Sequence, residues 1–231
     1  MLNLLKFLNK TISSSFKTKK LHLLFIFIFT FSYHAVAFDI DLNIIKQVKE
    51  RFGEKASGRL RYWQKIINDA KNKTPDEQLK ITNSFFNQVR FLSDQEHWQR
   101  EDYWATPLEM LATNGGDCED YSIAKYFTLR ELGIPDEKLK ITYVKAVQLN
   151  QAHMILAYYP SPGAEPLILD NLINEILPAS QRPDLVPVYS FNGEGLWLSK
   201  LSSQEGKRIG NANKLESWKD LMTRHTRLFD K

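Results

Sequence analysis

The 231-residue chain contains one cysteine. Cys118 lies in the run Asn114-Gly115-Gly116-Asp117-Cys118-Glu119-Asp120-Tyr121-Ser122, where a Gly-rich loop passes into a helix. Asp117 is a suitable N-cap, and Leu132-Gly133-Ile134-Pro135 offers a left-handed glycine cap followed by proline, so a helix is expected from Cys118 to about Leu132. A thiol in the first turn faces unpaired backbone N–H groups and the positive end of the helix dipole. Both stabilise the thiolate, the form that attacks a carbonyl. Gly115 and Gly116 leave room for a substrate backbone to approach. An inert core cysteine is the competing reading, and the polar neighbours on both sides count against it.

A nucleophilic cysteine needs a base, and the base needs a group to orient it. Beyond residue 37 the histidines are His97 in a polar loop, His225 in a terminal helical pattern, and His153, which starts the β-prone run His153–Tyr159. Folding that run back through Pro160-Ser161-Pro162-Gly163 pairs Tyr159 with Ala164 and sets His153 opposite Asp170. Directly opposed residues on one sheet face have Cβ atoms about 4.5–5.5 Å apart, close enough for a carboxylate to fix the imidazole tautomer. An even register slip keeps the two on one face, whereas an odd slip separates them. A strand-end Asp170 that caps the turn at Asn171 is the competing reading.

The elements around these residues divide the chain in two. Residues 41–56, 59–73 and 75–92 have helical spacing, the third opening on Thr74-Pro75-Asp76-Glu77 with an N-cap, a first-turn proline and a Glu in capping-box position. From Lys140 onward Ile141–Leu149, Ala152–Tyr159 and Leu167–Leu169 read as strands, followed by a Pro-rich loop around Leu177–Val188 and a strand at Leu196–Leu201. Lys207 and Arg208 fall in what reads as a solvated turn. The chain closes with an amphipathic helix whose apolar face carries Leu215, Trp218, Leu221, Met222, His225 and Phe229. Helices first and an antiparallel sheet second make the fold class α+β. The five tryptophans are too scattered for a stacking platform; core or groove wall suits them, with Trp104 placed at the cleft.

The N-terminus reads as an export signal. Lys6, Lys10, Lys17, Lys19 and Lys20 precede an apolar run from Leu21 to Tyr33, and Ala35-Val36-Ala37 provides the small residues a signal peptidase requires. The apolar run is shorter than the ~18–20 residues that span a bilayer, so removal is expected over permanent anchoring, with residues 1–37 lost and residues 38–231 forming one domain. Removing five lysines from 31 basic residues leaves 26 against 27 acids, a mature net charge near −1. The basic balance therefore belongs to the targeting segment, which argues against a nucleic-acid-binding surface. A single cysteine also excludes an internal disulfide.

Tyr103-Trp104-Ala105-Thr106-Pro107-Leu108-Glu109, Gly115-Gly116-Asp117-Cys118-Glu119-Asp120-Tyr121, Ala152-His153-Met154 and Leu169-Asp170-Asn171 together resemble the bacterial transglutaminase-like cysteine proteinases. Within that family the pattern is most similar to the LapG type of periplasmic protease. The resemblance implies a papain/transglutaminase-like core with a helical N-terminal lobe and a nucleophile-bearing helix packed on an antiparallel sheet. It implies a catalytic triad of Cys118, His153 and Asp170. It also implies a substrate and a switch. The substrate is a large repetitive surface adhesin cut near its N-terminus at a di-alanine site, which releases it from the outer membrane and disperses biofilm. The switch is the periplasmic domain of an inner-membrane cyclic di-GMP receptor, which holds the protease inactive.

Asp117, Glu119 and Asp120 surround Cys118, and each negative charge opposes thiolate formation. Hard carboxylate oxygens in an export compartment suit Ca²⁺, which would remove the repulsion and fix the loop. The resemblance implies calcium, with Asp117 and Glu119 matching the metal-binding acids beside the nucleophile; Asp102, just before the Tyr-Trp-Ala-Thr-Pro segment, is taken as a third ligand. Ordinary first-turn acids favoured by the helix dipole are the alternative. Two other functions fit parts of the same pattern: a transglutaminase or amidase on the same core, and a non-catalytic periplasmic binding module with a vestigial Cys118.

Overall fold

A glycine sets the first break in the chain. In the computed structural model, which describes residues 37–200 and 203–229, helix α1 (Leu42–Phe52) is capped by Asp41, whose side chain accepts the Asn43 N–H at 2.7 Å, and stops at Gly53. Gly53 has φ 86°, a left-handed value that costs other residues strain, and α2 (Glu54–Ala70) starts directly after it. The helical spacing puts the break between residues 56 and 59, but Gly58 lies inside α2 because helical φ is open to glycine too. Helix α3 (Pro75–Phe86) starts on the expected Thr74–Glu77 capping box but ends well before residue 92. The chain there turns into a two-residue strand β1 (Arg90–Phe91), followed by the short helix α4 (Asp94–His97) and by α5 (Pro107–Thr113). Strand β2 (Gly115–Gly116) pairs parallel with β1 and leads into α6 (Cys118–Glu131).

The second half forms β3 (Leu139–Ala146), β4 (Gln151–Tyr158), β5 (Leu167–Leu169), β6 (Leu177–Pro178), β7 (Leu185–Phe191), β8 (Leu196–Lys200) and β9 (Ser203–Gly210), then α7 (Glu216–Phe229). These seven strands make one antiparallel sheet in the order β6-β5-β4-β3-β7-β8-β9. The fold is α+β, as the sequence indicates. Two segments differ from expectation. Leu177–Val188 is not a loop throughout, since β7 begins at Leu185 and lies between β3 and β8. Pro187 has no N–H to give the ladder, and the register of β3 against β7 shifts at Tyr143/Val144, where Val144 meets Pro187. Lys207 and Arg208 belong to edge strand β9, where Arg208 Nη2 donates to the Glu194 carbonyl at 2.7 Å.

Helix α6 is the hub. Ile123, Ala124 and Leu129 are fully buried on it, and its residues pack against α3, α5, β3 and β4. Trp63 of α2 is 1% exposed and donates its indole N–H to Thr128 Oγ1 at 2.9 Å, tying the helical lobe to α6. Truncating such an indole to alanine costs about 3–5 kcal/mol. On the sheet, Trp104 stacks on Phe191 with centroids 5.4 Å apart, and Trp218 of α7 meets Phe191 edge-on at 5.2 Å. The opposite sheet face carries a second apolar cluster of Val144, Ala146, Ile155, Ala157, Ile168 and Leu185. Among the described residues no helix is long and apolar enough to cross a membrane. The targeting segment lies outside the described residues apart from Ala37.

Candidate active site and carboxylate cluster

The loop that delivers Cys118 is built by close packing. Asn114 ends α5 in the left-handed conformation, with φ 56°. A Cβ on Gly115 would fall 2.6 Å from Leu92 Cδ1, and one on Gly116 would fall 2.6 Å from Asp120 Oδ2. Gly116 is therefore needed for the loop to fit against the first turn of α6, where Asp120 Cβ also lies 2.8 Å away, whereas a side chain at Gly115 would have to displace the end of Leu92. Asp117 occupies the N-cap position, and its N–H donates to Asp120 Oδ2 at 3.3 Å. Cys118 follows as the first helical residue, half-buried, with its thiol donating to Glu119 Oε2 at 3.0 Å. Burial pushes the Cys118 thiol far above its ordinary value, and the charges of Glu119 and Asp117 push it further; the Met154 N–H, aimed at the sulfur, acts against them. That contact lays β4 against the start of α6 at the residue after His153.

His153 and Asp170 meet as their spacing suggests, by a different register. Leu156 pairs with Leu169, and Tyr158 pairs with Leu167, a slip of two residues from the Tyr159–Ala164 pairing. An even slip preserves the face, and His153 Nε2 lies 2.7 Å from Asp170 Oδ1. A carboxylate only accepts, so Nε2 carries the proton. The slip also frees Asp170 from the ladder, at the end of β5. Its Oδ1 accepts the Leu172 N–H at 3.1 Å and its Oδ2 accepts Arg182 Nη2 at 2.8 Å. The turn-capping reading and the histidine partner thus coexist in one carboxylate. Burial alone would raise the Asp170 carboxyl, but the bonds and charge of His153, the Leu172 N–H and Arg182 outweigh it and bring it down to about 2. Arg182 comes from the segment read as a Pro-rich loop, and nothing in its sequence surroundings marks it.

A cluster of acids lies beside the nucleophile. Asp94, Asp117 and Glu119 each place a carboxylate oxygen within 4.8 Å of the others. Asp120 is fully buried beneath them, with Oδ1 accepting the Ala105 N–H at 2.6 Å. Asp102 stands outside this group of three: its oxygens accept Trp104 Nε1 at 2.9 Å and the Ser217 hydroxyl at 2.8 Å. Asp94 takes the place assigned to Asp102 because α4 folds back over the Gly-rich loop and the Tyr103 N–H binds Asp94 Oδ2. Only tertiary folding brings Asp94 to Asp117, and its sequence signal, an acid inside the Ser93–Glu96 capping box, reads as a helix start. Trp104 is 5% exposed and belongs to the core, not to an open cleft wall.

The charges in this cluster are out of balance. Burial raises Asp117 to about 10, with Glu119 and Asp120 adding to the shift. Burial likewise raises Asp94 to about 6, despite the Tyr103 N–H, with Glu119 and Asp102 contributing. Asp94 Oδ1 and Asp117 Oδ1 are buried without a hydrogen-bond partner. Two orphaned carboxylate oxygens among mutually repelling acids fit a hard divalent cation, whose charge would offset the repulsion and whose coordination would use the free oxygens.

A half-buried thiol at a helix N-terminus, a strand whose Met154 N–H meets that thiol one residue after His153, and a carboxylate on the His153 imidazole are the groups that thiol acyl transfer uses. Comparison with known proteins agrees. Residues 57–199 match the family described as bacterial transglutaminase-like cysteine proteinase. The fold is similar to the LapG protein of Legionella pneumophila: its EGTA-treated form superposes with a TM-score of 0.71 at 43% identity, covering 82% of this chain and 99% of that one. The calcium-bound form of LapG gives a TM-score of 0.69 at 44% identity, covering 80% and 99%. Curated protein sequences give no match. Match and fold together show a cysteine protease of the transglutaminase-like clan, and the chain belongs to the bacterial transglutaminase-like cysteine proteinase family.

Proposed function

We propose that the protein is a calcium-dependent periplasmic endopeptidase acting through a Cys118–His153–Asp170 triad. The observation that carries this reading is the 2.7 Å bond from His153 Nε2 to a buried Asp170, on a strand whose next N–H points at the Cys118 sulfur. With Nε2 committed to Asp170, Nδ1 is the nitrogen that exchanges protons with the thiol. His153 Nδ1 takes the Cys118 proton, and the thiolate attacks the scissile carbonyl carbon as the C=O π bond opens onto oxygen. The Cys118 N–H, which as a first-turn group has no acceptor within the helix, donates to that oxyanion. Imidazolium Nδ1–H then protonates the leaving amine as the C–N bond breaks, which leaves a thioester. Water, deprotonated by Nδ1, resolves the thioester to a free carboxylate and returns the thiol. Asp170 holds the imidazole in its Nε2–H tautomer and stabilises the imidazolium.

Calcium fits the acids beside the nucleophile. Asp117 and Glu119 would hold it with Asp94, while Asp102 stays with Trp104 and Ser217. When bound, the ion supplies positive charge that relieves the carboxylate repulsion on the Cys118 thiolate and rigidifies the loop that presents it. The calcium-bound form of LapG supports this assignment by similarity. The basic leader, the apolar run and the small residues at 35–37 support periplasmic localisation.

The substrate proposed is the N-terminal region of a large repetitive surface adhesin, cut near a di-alanine site so that the adhesin leaves the outer membrane and biofilm disperses. The proposed regulator is the periplasmic domain of a cyclic di-GMP-sensing inner-membrane receptor, which sequesters the protease. Similarity to the LapG type supports both. The test is cleavage of an N-terminal adhesin fragment from the same organism by the mature protein, with calcium or EGTA, alongside Cys118→Ala. Calcium-dependent cleavage that Cys118→Ala abolishes is the expected result. Isopeptide products with an added amine and no net cleavage would replace the reading with transglutaminase chemistry.

A further inference from the structure

We propose that Arg182 is a positioning residue of the active site, holding Asp170 in the orientation that serves His153 and anchored in turn by Asp184. This deepens the triad reading and rests on it. The side chain of Arg182 is 5% exposed and that of Asp170 fully buried, and Arg182 Nη2 donates to Asp170 Oδ2 at 2.8 Å. Asp184 holds the same guanidinium along its Nε–Nη2 edge and shares Nη2 with Asp170: Nε to Oδ1 is 3.0 Å and Nη2 to Oδ2 is 2.9 Å. Asp184, 27% exposed, begins the segment that becomes β7, and its carbonyl accepts the Val147 N–H at 2.8 Å. A continuous chain of charge-assisted bonds therefore runs from the rim of the sheet through Asp184, Arg182 and Asp170 to His153.

The geometry gives Arg182 a task that packing does not need. A buried ion pair is weak support for stability, since apolar residues of similar volume commonly do as well or better. The value of this pair is in what it fixes. Asp170 Oδ1 is shared between the imidazole and the Leu172 N–H, and those two contacts alone leave the carboxylate free to swing about its Cβ–Cγ bond. Arg182 pins the second oxygen and stops that rotation, which keeps Oδ1 directed at Nε2. Other groups also face Asp170. Its carbonyl accepts Asn87 Nδ2 at 2.9 Å from the end of α3, and the buried Lys125 of α6 acts on its charge from a distance. Among these, Arg182 is the one that binds the free carboxylate oxygen. Positioning of this kind controls reactivity because a displacement of about 1 Å costs on the order of 100-fold in rate.

The experiment uses the calcium-loaded mature protein and its Arg182→Gln, Arg182→Lys and Asp184→Asn variants. Two readouts need no substrate. The first is the rate constant for alkylation of Cys118 by iodoacetamide, unambiguous in a chain with one cysteine. The second is the hydrogen-bonded Nε2–H resonance of His153 in ¹⁵N-histidine-labelled protein, assigned by its loss in Asp170→Asn. Arg182→Gln should slow alkylation by about 10–100-fold and broaden the resonance through exchange, Arg182→Lys should recover most of both, and Asp184→Asn should fall between. If Arg182→Gln lowers Tm while the alkylation rate stays within about twofold and the resonance persists, Arg182 is structural only and the proposal is wrong. A wild-type thiol no faster than free cysteine would instead count against the triad reading, while the resonance would still decide the role of Arg182.

Discussion

Asp170 and the acids of the 94–120 cluster are carboxylates buried around one nucleophile, yet their charges are balanced in opposite ways. Asp170 is 1% exposed and sits at about 2, because His153, the Leu172 N–H and Arg182 supply positive charge and donors from within the chain. Asp94 and Asp120 are 4% and 0% exposed and accept the backbone N–H groups of Tyr103, Ala105 and Asp117, but among the described residues no side-chain cation pairs with Asp94, Asp117 or Asp120. They are raised accordingly, Asp94 to about 6 and Asp117 to about 10, burial being the largest cause. A site with its own cation is permanently assembled. If the proposed calcium site holds, the 94–120 acids are assembled only when that ion is present, so the orienting half of the proposed machinery would be constitutive and the half around Cys118 conditional.

The sharpest break in this contrast comes from Asp170→Asn. It should lower kcat about 10³–10⁴-fold through loss of the Nε2–H tautomer, while calcium affinity measured by titration calorimetry stays at the wild-type value. A parallel loss of calcium binding would mean the two regions are not independent. On the cluster side, Asp94→Asn and Asp117→Asn should each weaken calcium binding about 10–100-fold, whereas Asp102→Asn should change it about twofold or less. The reverse ranking of Asp94 and Asp102 would move the site toward α7, where Asp102 meets Ser217.

Smaller effects separate the regions by stability. In EGTA, Asp117→Asn removes an acid that folding must protonate, so it should raise Tm by roughly 3 °C even as it lowers Tm in calcium. The pH dependence has opposite signs in the two regions. Asp94 and Asp117 have folded values above their unfolded ones, so their contribution is present at low pH and is lost as pH rises through about 6 and on towards about 10. Calcium-free protein should therefore melt a few degrees higher at pH 5 than at pH 8, and calcium should cancel or reverse the difference. Asp170 has a depressed folded value, so its contribution is present at neutral pH and is lost as pH falls from about 4 through about 2. Asp170→Asn should accordingly flatten the acid limb of the stability profile below pH 4 and leave the limb above pH 5 unchanged.

Some of this was legible along the chain and some was not. Local signals fixed the start of α3 at the Thr74–Glu77 capping box, the stop of α6 at Gly133, and Cys118 in the first turn, because caps and glycine conformations depend on a few adjacent residues. The alternation of β4 and β5 was enough to put His153 and Asp170 on one sheet face, since a side-chain period of two survives an even slip of register. The register itself was set elsewhere, by the pairing of Leu156 with Leu169 and the packing around it. β7 escaped sequence reading because two prolines nearby mark a loop, and only the shifted ladder at Tyr143/Val144 makes Pro187 acceptable in a strand between two others.

The sequence by itself determined which chemical groups the protein has near its nucleophile: a lone thiol at a helix N-terminus, acids on either side of it, and a histidine and aspartate spaced for one strand pair. Tertiary structure alone decided the charge balance of those groups. Asp94 reaches Asp117 by the fold-back of α4, Asp102 turns instead to Trp104 and Ser217, and Arg182 reaches Asp170 from the connection before β7. Caps and strand alternation are local in the chain, whereas Coulomb interaction and desolvation depend on distance in space, which no spacing of residues reveals.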